Sequence, residues 1–212
     1  MAKIGIIDYG MGNLRSVQKG MEKAGHQASI LRWKDALPQF DGIILPGVGA
    51  FGDAVKNLRN FGLFEAIIDY VLSGGILLGI CLGMQLLFEF SEEHGRHEGL
   101  GIIPGSVTRL PSEVKVPHMG WNILKIKREA PLLAGIEDGA RFYFVHSYRC
   151  VPEFERDIVA VTPYGEDFVS VVARDNVMGL QFHPEKSSGL GLRILSNFGA
   201  IAESKRNTVR SD

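Results

Sequence analysis

The stretch from Gly75 to Phe90 constrains this chain more than any other. Ile76 to Ile80 is a short apolar run that suits a strand buried on both faces of a parallel sheet. Leu82 to Phe90 then places apolar residues at 82, 86, 87 and 90, the spacing of one helix face. Cys81 lies between them, with Gly79 two residues before it and Gly83 two after. A Gly-x-nucleophile-x-Gly elbow needs this arrangement, because the tight strand-to-helix turn leaves no room for Cβ atoms on either side. The first N–H groups of the following helix would favour negative charge on the sulfur. A buried structural cysteine, the common fate of a free Cys, does not require both glycines.

The surrounding pattern places this elbow in a doubly wound α/β fold with a mostly parallel sheet. Strands are expected at Ile4–Ile7, Ala28–Leu31 and Gly42–Leu45, with helices over Leu14–Ala24, Asp53–Asn60 and Leu63–Leu72. The run Asp8-Tyr-Gly-Met-Gly-Asn13 follows the first strand but lacks the third glycine of a dinucleotide fingerprint. It reads as a loop at the carboxyl edge of the sheet, where such folds meet ligands and partners. Pro46 to Gly52 holds three glycines and a proline within seven residues, so its backbone can approach a ligand closely. Either a tight turn or a strand presenting N–H groups to a developing negative charge fits that segment.

Beyond residue 100 short strands dominate: 106–110, 121–126, 141–148, 158–162, 169–173 and 177–182, an antiparallel or mixed addition to the parallel core. Ser91 to Gly99, with three glutamates and two histidines, reads as a solvated loop. A last helix is expected over 190–202, and 203–212 as a polar, frayed tail, leaving one domain over 1–202.

Composition excludes several function classes. Lys plus Arg number 23 against 24 Asp plus Glu, so no basic excess points to nucleic acid. Two cysteines, Cys81 and Cys150, are too few for a disulfide framework and suit a reducing compartment. The start Met-Ala-Lys-Ile lacks a signal-peptide pattern, and no apolar run reaches membrane-spanning length, so a cytoplasmic location is expected. The six histidines show no zinc spacing with each other or with cysteine, and neither a metal nor another cofactor is expected.

The second informative segment is Gly179-Leu-Gln-Phe-His183-Pro-Glu185-Lys186-Ser187. Proline biases His183 toward extended backbone, and residues two apart on an extended chain share a side. Glu185 beside His183 would fix the imidazole tautomer and stabilise its cation, the orienting role in a nucleophile–base–acid triad. A loop histidine and a solvated glutamate are the bland alternative, which the elbow cysteine upstream disfavours.

Together, Gly-Ile-Cys81-Leu-Gly-Met-Gln and Phe-His183-Pro-Glu185 resemble the class I (triad) glutamine amidotransferases. Four further stretches narrow the resemblance: Asp8 to Leu14, Leu45 to Asp53, Pro117-His-Met-Gly-Trp-Asn122 and Tyr143-Phe-Val-His-Ser-Tyr148. They are similar to the glutaminase subunits of imidazole glycerol phosphate synthases, over residues 3 to about 202. The resemblance implies Cys81, His183 and Glu185 as the triad. It implies N–H groups of Leu82 and of the Val48–Gly49 loop as an oxyanion hole, and Gln85 and Glu93 as contacts to glutamine, with the Tyr143–Tyr148 stretch bordering the pocket. It also implies a separate (β/α)₈-barrel cyclase as partner, which takes the ammonia in histidine synthesis, met by Asn13, Met119, Trp121, Asn122 and Lys186. Another glutaminase or cysteine hydrolase on the same fold, or a binding module that has lost its chemistry, are the competing readings. The intact Cys81, His183 and Glu185 weigh against the last.

Overall fold

The computed structural model describes residues 1–209. The chain runs β1 (Lys3–Ile7), α1 (Leu14–Lys23), β2 (Gln27–Leu31), β3 (Gly42–Gly47), α2 (Phe51–Asn60), α3 (Leu63–Leu72) and β4 (Ile76–Cys81). It continues through α4 (Leu82–Gln85), β5 (Phe88–Ser91), β6 (His97–Glu98), β7 (Ile103–Arg109), β8 (His118–Ile123) and β9 (Lys125–Ile126). The last elements are β10 (Arg141–His146), β11 (Tyr148–Pro152), β12 (Ile158–Tyr164), β13 (Glu166–Arg174), β14 (Val177–Leu180) and α5 (Ser188–Val209).

The main sheet has the order β2-β1-β3-β4-β14-β13-β11-β7-β5-β6. Its first five strands are all parallel, and antiparallel pairing begins at β14–β13. Period-two alternation divides the core between the two faces of the sheet. Ile4, Ile6, Ile44, Leu78 and Ile80 face one side with Val17, Met21, Leu195 and Phe198 from α1 and α5. Ile7, Ile43, Leu45 and Leu77 face the other with Leu58, Leu63 and Ile67 from α2 and α3. This is the doubly wound α/β fold expected from the sequence, and no described helix is long and apolar enough to cross a membrane.

Because β1, β3, β4 and β14 are parallel, their carboxyl ends lie along one edge. That edge carries the 8–13 loop, Val48–Gly49, Cys81 and the 181–187 segment, four stretches that are far apart in sequence.

Several local expectations are corrected. The helix after Cys81 is a single turn, Leu82–Gln85, rather than a helix to Phe90. Leu86 and Leu87 fit a helix face, but their carbonyls accept N–H groups from Leu100, Ile102 and Ile103, and these long-range bonds turn the chain into β5. Part of the expected loop 91–99 is the β5–β6 pairing, Phe90 opposite Glu98 and Ser91 opposite His97, with Ser91 fully buried. The strand expected over 141–148 breaks at Ser147 into β10, paired with β8 in a small separate sheet, and β11, which joins the main sheet. α5 also runs on to Val209, so residues 203–209 of the expected tail are helical; 210–212 lie outside the described residues.

Candidate active site

Cys81 ends β4 with φ +56° and ψ −112°, a left-handed conformation that costs a residue with a Cβ of order 1–3 kcal/mol. The surroundings hold it there. Cys81 lies in register with Gly47 of β3, and α4 starts at the next residue. A Cβ on Gly79 would sit 2.6 Å from the Gly83 carbonyl oxygen, and one on Gly83 would drive into the Leu45 carbonyl oxygen. Both glycines are therefore required by close backbone approach. With one helical turn behind it the helix dipole is small, and local N–H groups at the turn are what remain to favour an anion. The thiol itself touches the Val145 carbonyl and receives the Gln181 amide N–H, each at 3.8 Å.

His183 and Glu185 stand just beyond the end of β14. His183 keeps an extended backbone, φ −98° and ψ 98°, before Pro184. The pair does not meet along an extended strand, however; it closes across the short 3₁₀ turn Pro184–Lys186. Nδ1 of His183 lies 2.8 Å from Oε1 of Glu185, and the two side chains are only 2% and 1% exposed. The segment is tied to β10: His183 N–H donates to the Tyr143 carbonyl, and Ser187 Oγ donates to the His183 carbonyl while accepting the Tyr143 N–H. Nε2 of His183 is buried without a hydrogen-bond partner. Burial pulls the imidazole's pKa down, but the Cys81 sulfur and then Glu185 outweigh it and push the value up to about 10. The thiol is thus close enough to act on the ring, although it does not meet hydrogen-bond geometry with Nε2. These neighbours favour the cationic ring, the state a proton donor needs.

Beside Cys81 opens a cavity of about 410 Å³. It gathers Val48, Gly49, Leu82, Gln85 and Glu93 around the sulfur, with Pro117 and residues 145–148 closing it. Among the larger cavities elsewhere, the two of about 980 and 820 Å³ include the first residue of β4, Ile76, and none of these residues. They sit at the opposite end of that strand from the sulfur, so size does not mark the chemistry here.

The model of the family described as "Glutamine amidotransferase class-I" matches residues 5–201. The imidazole glycerol phosphate synthase subunit HisH of Desulfitobacterium hafniense DCB-2 is 54% identical over 196 residues, covering 92% of this chain and 93% of that protein. The corresponding HisH subunit of Aquifex aeolicus is 52% identical, covering 93% and 96%. The chain belongs to the class I glutamine amidotransferase family. Among solved structures, one described as a glutamine amidotransferase has a TM-score of 0.75 at 20% identity, covering 94% of this chain and 98% of its own, and so shares the fold.

In this amidotransferase the remaining residues singled out in the sequence occupy distinct places. Both N–H groups of the Gln85 amide are taken, by the Tyr148 carbonyl and Gln181 Oε1, each at 3.1 Å. Only its Oε1 is left to meet a ligand. Glu93 accepts the Phe51 N–H at 2.7 Å, capping α2 from a distant segment where Ala50 supplies no side-chain cap. Val48 is 42% exposed and Gly49 sits at φ +97°, while the buried Tyr9 hydroxyl donates to the Pro46 carbonyl at the loop's root.

Asn13 is exposed at the start of α1. Met119 and Trp121 project outward from β8, 62% and 50% exposed. Trp121 lies across from Tyr143, ring centroids 6.2 Å apart, and the exposed Lys186 ammonium stands 5.9 Å from the same Tyr143 ring. Asn122, next along β8, turns to the opposite side and bonds within the molecule to His118 and the Pro163 carbonyl. Met119, Trp121 and Lys186 thus share the outer side that Asn122 does not.

Sequence reasoning missed three groups that touch this site. Gln181 and Ser187 lie within the segment singled out for His183 and Glu185, and their alternation with Phe182 and the proline turn could have flagged them. The third is a buried histidine pair, His118 Nδ1 to His146 Nε2 at 3.0 Å. Burial lowers His118 to about 4; burial and then the charges of His118 and His183 outweigh the Tyr148 hydrogen bond and lower His146 to about 3. Both rings are neutral at physiological pH.

Proposed function

We propose that this chain, as one domain over residues 1–202, is the glutaminase of an imidazole glycerol phosphate synthase, serving histidine synthesis in the cytoplasm. Its relatives are named as subunits of that synthase, which supports a multi-subunit enzyme. The observation that carries the reading is the left-handed backbone of Cys81 beside a buried His183 whose Nδ1 is held by Glu185.

In the reaction, the Cys81 thiolate attacks the side-chain amide carbon of glutamine. The amide oxygen becomes an oxyanion, met by the N–H of Leu82 and an N–H of the Val48–Gly49 loop, where loss of one donor costs about 10²–10³ in rate. His183 gives its proton to the departing nitrogen, releasing ammonia and leaving a γ-glutamyl thioester. The now neutral imidazole takes a proton from water, whose oxygen attacks the thioester, returning glutamate and the thiol. Glu185 keeps the ring oriented and stabilises each cationic state. Gln85 and Glu93 hold the substrate's polar end.

Ammonia released into water is largely protonated and no longer nucleophilic, so a dry route to a second active site is required. We place a (β/α)₈-barrel cyclase against the face bearing Asn13, Met119, Trp121 and Lys186, with Asn122 supporting it from within. The test is labelling by a glutamine-analogue diazoketone, followed by peptide mass spectrometry, with the cyclase and its ligand present. Label on Cys81 supports the reading. Label elsewhere, or an unmodified Cys81 under conditions that modify a known relative, would overturn it.

A further inference from the structure

We infer that Asn122, His118 and His146 form a one-directional hydrogen-bond relay that positions Gln85 in the glutamine pocket. This deepens the proposed glutaminase reading and rests on it. The direction is set by which atoms must donate. The Tyr148 carbonyl is only an acceptor, so the Nδ1 of His146 facing it at 2.8 Å carries the proton. A neutral His146 then has a bare Nε2, which accepts from Nδ1–H of His118 at 3.0 Å. A neutral His118 likewise has a bare Nε2, which accepts from Asn122 Nδ2 at 3.2 Å.

Asn122 cannot reverse this order. Its other Nδ2 proton goes to the Pro163 carbonyl at 2.9 Å, and its Oδ1 accepts the Ile123 N–H at 2.8 Å. Flipping the amide would break both. At the far end, the Tyr148 carbonyl receives two N–H groups, from His146 and from Gln85. Gln85 passes the constraint on to Gln181 through its second N–H, and Gln181 donates to Cys81 sulfur. Asn122, His118 and His146 are therefore positioning residues: they fix the carbonyl that fixes Gln85, and so fix which atom of Gln85 is offered to substrate. A buried polar chain of this kind is favourable only when every member is satisfied, and one broken link leaves its neighbour without a partner.

A merely structural pair makes a different prediction. His118 lies in an aromatic nest with Phe144, Tyr164 and Phe168, at ring separations of 5.1, 4.1 and 5.5 Å. A phenylalanine at 118 keeps an aromatic ring in that nest and removes both nitrogens of the relay. In glutaminase assays of the full chain with its cyclase partner, His118→Phe should raise KM for glutamine about 5–10-fold while kcat changes less than about 3-fold. His118→Gln, which can still donate with its amide N–H and accept with its oxygen, should bring KM back to within about 2-fold of the parent. Imidazole ¹⁵N shifts of the unsubstituted chain at neutral pH should show both rings protonated at Nδ1. An unchanged KM in His118→Phe, a failure of His118→Gln to restore it, or a proton on Nε2 of His146 would overturn the relay. An unsubstituted chain that turns over no glutamine would sink the glutaminase reading instead, and the ¹⁵N shifts would still decide the relay.

Discussion

The two walls of the cavity beside Cys81 are built in opposite ways. On one side Cys81, the proposed nucleophile, is 6% exposed, on a strand locked between β3 and β14, and its strained backbone is held by glycines whose places have no room for a Cβ. On the facing side Val48 is 42% exposed, and Gly49 holds a positive φ with only the mobile end of the Met11 side chain near its would-be Cβ. The fold therefore brings Cys81 and His183 together in advance, and the Val48–Gly49 loop, where the proposed oxyanion hole would form, is the more open wall. Strain persists at Cys81 because two packed faces of the sheet surround it.

Substitutions on the two sides should separate these roles. The largest effect belongs to Cys81→Ala, which should lower glutamine hydrolysis by about 10⁴ or more in a steady-state assay while leaving thermal unfolding nearly unchanged. Gly83→Ala should act on the fold instead: with no space before the Leu45 carbonyl, it should cost about 3 kcal/mol or more in denaturant unfolding, or prevent folding. A stably folded Gly83→Ala chain would break the claim that the elbow is sterically locked.

Glu185→Gln should lower kcat by about 10²–10⁴. It also tests the sign of the His183 shift. Because His183 is raised from its ordinary 6.5 to about 10, its contribution to stability is complete below pH 6.5 and is lost as pH rises through 10. Removing the carboxylate charge should pull that alkaline transition toward lower pH in unfolding measurements, and an unmoved transition would deny the coupling. The smallest effect is expected across the cavity. Gly49→Ala should lower kcat about 10–100-fold with a stability loss of only about 1–2 kcal/mol, since the left-handed backbone disfavours a Cβ but no rigid atom opposes it.

The parallel core was legible because β1, β3 and β4 are short apolar runs with a glycine at or just after the strand end, and the elbow because both glycines flank one cysteine. Long-range hydrogen bonding lay beyond the sequence. Leu86 and Leu87 have helical spacing, yet carbonyl bonds to Leu100, Ile102 and Ile103 send the next residues into β5. His183 and Glu185 were legible as a pair of residues but not as a geometry, because the 3₁₀ turn that joins them depends on Ser187 and on the backbone of Tyr143. His118 and His146 are 28 positions apart and meet only through the β8–β10 register, which no local periodicity encodes.

The most direct test of a preassembled nucleophile is a small alkylating reagent that has no need of an oxyanion hole. Iodoacetamide added to the full chain alone at neutral pH, followed by peptide mapping, should modify Cys81 and spare Cys150, which is buried and does not line the cavity beside the nucleophile. His183→Ala should slow that modification at least about 10-fold, because the imidazolium that favours the thiolate is gone. An inert Cys81, or equal rates with and without His183, would contradict the preassembled pair.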